Sequence, residues 1–180
     1  KKSGRTMTDW LTMPRMKAPS QQAPGERWQI AADRMSDLKA KRERKEHREA
    51  KQKAKPRSAW LREAQAVFNR FIRLRDAGRP CISCGRHHQG QNHAGHYRST
   101  KAAPELRFDE ANVHLQCQPC NTHLSGNVVE YRKELINRIG QAEVDRLEGP
   151  HEPMKYTIDD LRQIKATYQA KCKELENQNG

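Results

Sequence analysis

The sequence has 180 residues, of which 34% are hydrophobic and 32% are charged, and Lys and Arg outnumber Asp and Glu by 35 to 22. This length allows one compact domain with extensions, and no stretch approaches the roughly 20 apolar residues that a membrane-spanning helix needs. The large positive surplus favours a polyanionic partner, most commonly nucleic acid, over a merely soluble basic protein. Because the first thirty residues also lack a signal-peptide apolar region, we expect a cytosolic protein without a membrane partner.

The N-terminal part of the chain divides by composition. Residues 1–28 contain several prolines and no periodic apolar pattern, which predicts a flexible leader. Residues 29–56 are almost free of Gly and Pro, and good helix formers dominate them. Between Lys39 and Arg57 there are ten Lys or Arg against three Glu. We therefore predict a charged basic helix or arm, which is either a solvated helix or a segment that binds phosphates.

A change of pattern follows Pro56. Ser58 is expected to cap a new helix, in which apolar residues recur at helical spacing over residues 60–72. Gly78 and Pro80 should close it. The same criteria predict short strands at residues 96–99 and 113–115, a helix over residues 128–139 capped by Asn127, a short helix at residues 142–147, and a last helix begun by a Thr157–Asp160 capping box.

Four of the five cysteines form two Cys-x-x-Cys pairs, Cys81 with Cys84 and Cys117 with Cys120. Without a secretory signal, this spacing indicates a metal site rather than disulfides. Zinc prefers four thiolates in a tetrahedron, although four unligated buried thiols are the alternative. Since four thiolates leave no position open for water, the zinc is predicted to be structural. Cys172 is expected to be an ordinary helix residue.

Histidines and asparagines surround the second cysteine pair in a recurring order. His96 precedes the pair, Asn112 lies five residues before Cys117, and Asn121 and His123 lie within the three residues that follow Cys120. This order resembles the HNH (His-Me finger) nucleases, in which a strand, a loop and a helix hold a catalytic divalent cation. Phosphodiester hydrolysis needs a base that works near pH 7 and a hard cation, which a neutral imidazole and Mg²⁺ or Mn²⁺ provide.

On this resemblance, His96 is the general base, and Asn121 and His123 help to hold the cation. His93 is a further candidate ligand, and Asn112 is expected to brace the loop through backbone hydrogen bonds. The alternative is that these histidines are spare zinc ligands or surface residues. His87 and His88 are expected to be loop residues.

A closer resemblance extends over roughly residues 55–175. The segments that carry it are Ala94–Arg98, Ala102–Phe108, Asn112–His114, Gln116–Cys117, Cys120–Asn121, His123, Ser125–Asn127 and Tyr131–Arg132, together with Lys55–Ser58 and Arg138–Gln141. They resemble the lambdoid phage recombination protein NinG (Rap) family, which implies a structure-specific endonuclease for branched recombination intermediates, including Holliday junctions and D-loops. The resemblance also implies a phage or prophage origin and action in the host bacterial cytoplasm.

Further expectations depend on these resemblances. The residues from Cys117 to Asn121 also resemble the phage T4 junction resolvase, in which the asparagine after the last zinc cysteine binds the catalytic cation. A junction resolvase makes paired incisions, so a homodimer is expected, and other recombination proteins are further expected partners. Many HNH enzymes carry an acidic metal ligand directly before the catalytic histidine, whereas this sequence has Gly95 there.

The predicted fold class is α+β, with a small zinc-stapled ββα-metal (HNH, treble-clef-like) core flanked by amphipathic helices and preceded by a basic flexible N-terminal arm. Residues 57–180 would form this nuclease domain. Two other functions fit the sequence: a non-catalytic zinc-containing DNA-binding protein that assists recombination, and an interaction protein whose helix at residues 30–57 and last helix dock host partners.

Overall fold

The computed structural model describes residues 24–178, apart from the side chains of residues 24–27, 31 and 53. The chain divides into two units, with the break after Ala54. The first unit contains helix α1 (Pro24–Lys53). Residues 1–23 of the predicted leader lie outside the described residues, and α1 begins at Pro24, before the boundary predicted at residue 28. Proline suits the first position of a helix, where its missing amide proton would have no intrahelical partner.

The second unit combines helices with one small sheet, which is consistent with the predicted α+β class. Its elements are α2 (Arg57–Arg75), β1 (Asn92–His96), a 3₁₀ turn (Pro104–Leu106), β2 (Val113–Cys117), a π-helical turn (Pro119–His123), α3 (Val128–Ile139), α4 (Gln141–Glu148) and α5 (Ile158–Gln178). No helix in the described part of the chain combines the length and the apolar character needed to cross a membrane.

The main apolar core lies where α2 packs against α5. Phe68 is at its centre, and its ring meets the rings of Phe108 and Tyr168 edge to face, with centroids 5.6 Å and 4.8 Å apart. Cys172, predicted to be an ordinary residue of the last helix, is buried in this core. The periodic apolar residues of both helices thus pack against each other, as the sequence pattern predicts.

The helix starts agree only partly with the predicted caps. At α5 the capping box is confirmed, because Asp160 N–H donates to Thr157 Oγ1 at 3.1 Å and Thr157 N–H donates to Asp160 Oδ2 at 2.8 Å. The predicted Ser58 cap is wrong. Extended Pro56 occupies the cap position of α2, so the chain enters the helix at Arg57 without a side-chain cap.

The sheet is a two-stranded antiparallel ribbon in which His96 pairs with Val113 and Asn92 pairs with Cys117. The prediction for β2 is confirmed at residues 113–115, and the strand continues to Cys117. The predicted first strand, at residues 96–99, is wrong except for its first residue. The ribbon ends at His96 because the side chain of Asn112 occupies both backbone hydrogen-bonding groups of Arg98. It accepts from the Arg98 N–H at 2.8 Å and donates to the Arg98 carbonyl at 3.0 Å.

The two faces of the ribbon meet different elements, since side chains alternate along a strand. Ala94 packs against the α2–α5 core, so the even-numbered residues of β1 face α2. The odd-numbered residues face α3, whose Tyr131 hydroxyl donates to the Gly95 carbonyl at 2.9 Å. On this side lies a second core, formed by Ile82, Tyr97, Ala103, Leu106, Tyr131, Leu135, Val144 and Leu147.

Candidate functional site

The two cysteine pairs converge as the sequence predicts. The sulfur atoms of Cys81, Cys84, Cys117 and Cys120 all lie within 4.8 Å of one another, and none is in a disulfide. A tetrahedron with zinc–sulfur bonds of about 2.3 Å has edges of roughly 3.8 Å, and the Cys84 and Cys117 sulfurs are 4.0 Å apart. The cluster is therefore compatible with a zinc ion held by four cysteines.

Backbone and amide groups already point at these sulfurs. Cys117 N–H donates to Cys81 Sγ at 3.4 Å, and Asn127 Nδ2 donates to Cys120 Sγ at 3.8 Å. Asn127 does occupy the predicted cap position of α3, but its φ is +43° and its side chain does not cap the helix. The side-chain amide of Asn127 donates to the sulfur of Cys120 instead. Such N–H donors suit thiolates better than neutral thiols, because hydrogen bonds to an ionised acceptor are stronger.

His88 contacts the cluster, although the sequence assigned it only to a loop. It does lie outside any helix or strand, but its Nε2 is 3.3 Å from Cys84 Sγ. Burial tends to raise the pKa of the Cys84 thiol, but the hydrogen bonds to His88 and to the Arg86 backbone outweigh it and lower the pKa to about 6. In the sequence, only the short interval of four residues from Cys84 to His88 could have indicated this contact.

The side chain of Gln116 connects the first cysteine pair to the segment that follows the second pair. It is fully buried, and its Nε2 donates to Ser83 Oγ and to the Gly126 carbonyl, both at 2.6 Å. The same side chain explains Gly95 on the neighbouring strand. A Cβ added to Gly95 would lie 2.9 Å from Gln116 Cβ and closer still to Gln116 Oε1. Position 95 therefore has no space for the acidic side chain that many HNH enzymes place there.

The predicted base, His96, is held by one backbone group. Its Nε2 lies 3.0 Å from the carbonyl oxygen of Arg107. A carbonyl only accepts hydrogen bonds, so Nε2 carries the proton and Nδ1 is the unprotonated nitrogen of the neutral ring. Burial lowers the pKa of His96, and the positive charge of Arg107 acts in the same direction, whereas the hydrogen bond to the carbonyl opposes them. Burial and the charge of Arg107 thus favour the neutral form of the ring.

The predicted cation ligands are only partly brought together. Asn121 Nδ2 lies 2.9 Å from His93 Nδ1, and this contact joins the π-helical turn that contains Cys120 to the α3-facing side of β1. His123, at the end of that turn, is exposed, and within the described residues it has no hydrogen bond to either of them. His96 lies on the other face of β1 from His93, because the two positions differ by three in a strand.

Asn112 lies inside the loop between the strands. It is fully buried and accepts from Arg98 N–H while its Nδ2 donates to the carbonyls of Arg98 and Leu106, at 3.0 Å and 3.1 Å. These contacts are those of a residue that braces the loop, and they leave its side-chain amide no direct access to a substrate. Arg107, whose carbonyl anchors His96, is the next residue after Leu106, so Asn112 also fixes the position of that carbonyl.

Comparisons with known proteins agree with the sequence-based resemblance. A family model described as "NinG: Bacteriophage Lambda NinG protein" matches residues 6–178. The chain belongs to the NinG family. Among its relatives, the protein ninG of Escherichia phage 933W is 57% identical over 123 residues, which cover 68% of this chain and 61% of that protein.

Two further NinG relatives are nearly as similar. The ninG protein of Escherichia phage lambda is 55% identical over 68% of this chain and 60% of its own length, and that of Salmonella phage P22 is 54% identical over 67% and 60%. The match therefore spans about three fifths of each curated relative. These relatives support a bacteriophage origin for the chain. No solved structure matches it.

Proposed function

We propose that this NinG-family chain is a metal-dependent endonuclease that cleaves branched DNA recombination intermediates, such as Holliday junctions and D-loops. The observation that carries the proposal is the state of His96. Its imidazole is anchored through Nε2 to the Arg107 carbonyl at 3.0 Å, and burial favours its neutral form. A general base must have its unprotonated nitrogen available at the working pH, and Nδ1 of His96 satisfies this requirement.

His96 would accept the proton of the water that attacks the phosphorus atom. The Arg107 carbonyl fixes the ring in one tautomer, and the imidazolium donates a stronger hydrogen bond to it once the proton has arrived. The two hydrogen bonds that Asn112 donates hold this loop in place. Asn112 is therefore a positioning residue in this proposal, and His96 is the residue that touches the reacting water.

A divalent cation would neutralise charge on the scissile phosphate and on the leaving oxygen. Among the described residues, Asn121 would hold it, and His93 would join as a ligand only by exchanging the hydrogen bond that its Nδ1 accepts from Asn121 for the cation. Asn121 donates to His93 through Nδ2, so its Oδ1 is available as the oxygen ligand that Mg²⁺ or Mn²⁺ prefers. His123 could join from the same turn. The cysteine cluster is the one group of three or more His, Cys, Asp or Glu residues with converging ligand atoms in the described part of the chain.

The cysteine cluster would bind a structural zinc ion in this proposal. It lies at the end of the ribbon where Asn92 pairs with Cys117, and Asn121 follows Cys120 directly. A zinc ion here would fix the turn that carries Asn121 against β1. Its contribution is therefore to hold the site together, because four thiolates leave no position for a reacting water.

A cleavage assay with labelled DNA tests this function. The substrates are a four-way junction, a D-loop and a linear duplex of the same sequence, each with Mg²⁺, with Mn²⁺ or without added divalent metal. We expect metal-dependent incision of the branched substrates and little incision of the duplex. Tight binding with no product under any of these conditions would instead support the non-catalytic DNA-binding alternative.

A further inference from the structure

A cleft lies between the end of α2 and the loop that follows the first cysteine pair. Its volume is about 450 Å³, and the residues that line it include Arg73, Arg79, His87, His88, Asn92 and Cys81, a member of the cysteine cluster. Neither Asp nor Glu is among the described residues that line it. This α2 cleft is separate from the His93–Asn121 pair, because Asn92 and His93 lie on opposite faces of β1.

The two arginines of the α2 cleft have no carboxylate partner in the described part of the chain. Arg73 and Arg79 are exposed, and neither side chain has an ion pair or a hydrogen bond with any other described residue. The nearest carboxylate in the sequence, Asp76, is buried and already bound by Arg75 at 2.8 Å and by the Leu115 amide at 2.9 Å. Because His88 is engaged with Cys84 Sγ, the donors available in the α2 cleft are the two guanidinium groups, His87 and the Asn92 amide, and such donors match phosphate oxygens.

The same outer face of α2 continues towards its N-terminus. Arg62, Asn69 and Arg107 line a second recess of about 320 Å³, again without a carboxylate among the residues described there. Arg62 and Arg73 are separated by three helical turns, which corresponds to roughly 16 Å at about 1.5 Å per residue. Measured along the axis of a DNA duplex, that distance corresponds to about five nucleotide steps with a rise of roughly 3.4 Å each. It suits an extended row of phosphates better than a single small anion.

We propose that the outer face of α2, from Arg62 to the α2 cleft at Arg73 and Arg79, binds the phosphate backbone of DNA. The choice of DNA among polyanions rests on the proposed function. The placement favours it, because Arg107, which lines the second recess on α2, also lies 3.0 Å from His96 Nε2 through its carbonyl oxygen. A backbone bound along this face would thus pass the residue that anchors His96.

The test is the salt dependence of binding to a four-way DNA junction, measured without added divalent metal so that cleavage does not contribute. The double variant Arg73→Gln/Arg79→Gln is compared with the wild type and with the charge-keeping Arg73→Lys/Arg79→Lys. A matched control, Lys155→Gln/Lys173→Gln, removes two exposed charges that line neither recess. Because none of these side chains is buried, all variants should fold, and their thermal melting verifies this.

Two lost phosphate contacts should reduce the slope of log affinity against log salt by about 1.8, which corresponds to roughly 60-fold weaker binding at 0.1 M salt relative to a 1 M reference. We expect this loss in the glutamine variant of the α2 cleft and a much smaller one in the lysine variant and in the matched control. An unchanged slope, an equal loss in the matched control, or a wild type that does not bind the junction would overturn the proposal. Adding Mn²⁺ to the same samples tests cleavage separately: binding through α2 without incision would refute the proposed nuclease but not this surface.

Discussion

Replacing Gly95 by alanine should destabilise the protein strongly, because the structure leaves no volume for a methyl group at this position. The added Cβ would lie 2.9 Å from Gln116 Cβ and 3.0 Å from Gln116 Cδ. Gln116 cannot move away without losing its hydrogen bonds to Ser83 and Gly126, both 2.6 Å long. Overpacking a core costs about 1–3 kcal/mol, and each lost hydrogen bond costs about 1 kcal/mol more.

The expected loss is therefore roughly 2–5 kcal/mol in the free energy of unfolding, or a fall of at least about 8 °C in melting temperature for a unit of this size. Chemical denaturation of the zinc-loaded protein measures it. Gly90→Ala is the matched control, since a Cβ there would have no atom within 4 Å. It should leave the stability within about 0.5 kcal/mol of wild type.

A double-mutant cycle tests the cause of the loss. In a Gln116→Gly background the three crowding atoms are absent, so the Gly95→Ala substitution should cost at least 1 kcal/mol less than in the wild type. A Gly95→Ala protein as stable as the wild type would refute the reasoning, and so would an undiminished cost in the Gln116→Gly background. Either result would mean that Gln116 does not exclude a side chain at position 95.

Three further predictions concern stability. Removal of the metal with a chelator, or the Cys120→Ser substitution, should abolish the cooperative unfolding of residues 81–140. Thermal melting and far-UV circular dichroism measure this change. An unchanged melting curve after complete removal of zinc would contradict the prediction. Asn112→Ala should lower the free energy of unfolding by about 2–4 kcal/mol, because it leaves the backbone groups of Arg98 and Leu106 without partners, whereas Asn137→Ala on the surface should change little. Burial lowers the pKa of His114 to about 4, against about 6.5 in the unfolded chain. Between these pH values the unfolded form therefore binds more protons than the folded form. The free energy of unfolding should thus fall by on the order of 3 kcal/mol as the pH drops from 6.5 to 4. In denaturation curves at pH 7 and pH 4.5, His114→Gln should lose less stability than the wild type, and an equal loss in both would argue against His114.

Sequence patterns predicted those parts of the fold that depend on local spacing. The helical periodicity of α2 and α5 and the capping box at Thr157 require only neighbouring residues, and the structure confirms them. The convergence of the two cysteine pairs was also predictable, because the Cys-x-x-Cys spacing itself imposes the geometry of one tetrahedral edge.

The remaining features depend on contacts between distant parts of the chain. The end of β1 at His96 is set by Asn112, and the glycine at position 95 is required by Gln116 on the opposite strand. The tautomer of His96 is set by the backbone carbonyl of Arg107. The position of a backbone carbonyl cannot be inferred from residue types. For this reason the sequence could name His96 as a base but could not specify which of its nitrogens is free.

The placement of the candidate cation ligands shows the same limit. Asn121 follows Cys120 directly and His123 lies three residues after it, and the sequence gives no ground for preferring one of them as a ligand. The π-helical turn brings only Asn121 within hydrogen-bonding distance of His93, at 2.9 Å, and leaves His123 exposed. The difference between them arises from the geometry of a single turn.

The most direct test of the nuclease proposal is the single-turnover rate of four-way-junction cleavage by His96→Ala. A matched control is His151→Ala, because His151 Nε2 also lies next to a backbone carbonyl, that of Leu147 at 3.3 Å. Zinc content and melting temperature verify that both variants are folded. Loss of the general base should slow cleavage by about 10²- to 10⁴-fold without weakening junction binding, and the control should cleave at the wild-type rate. A His96→Ala protein that cleaves within threefold of the wild-type rate would contradict the account.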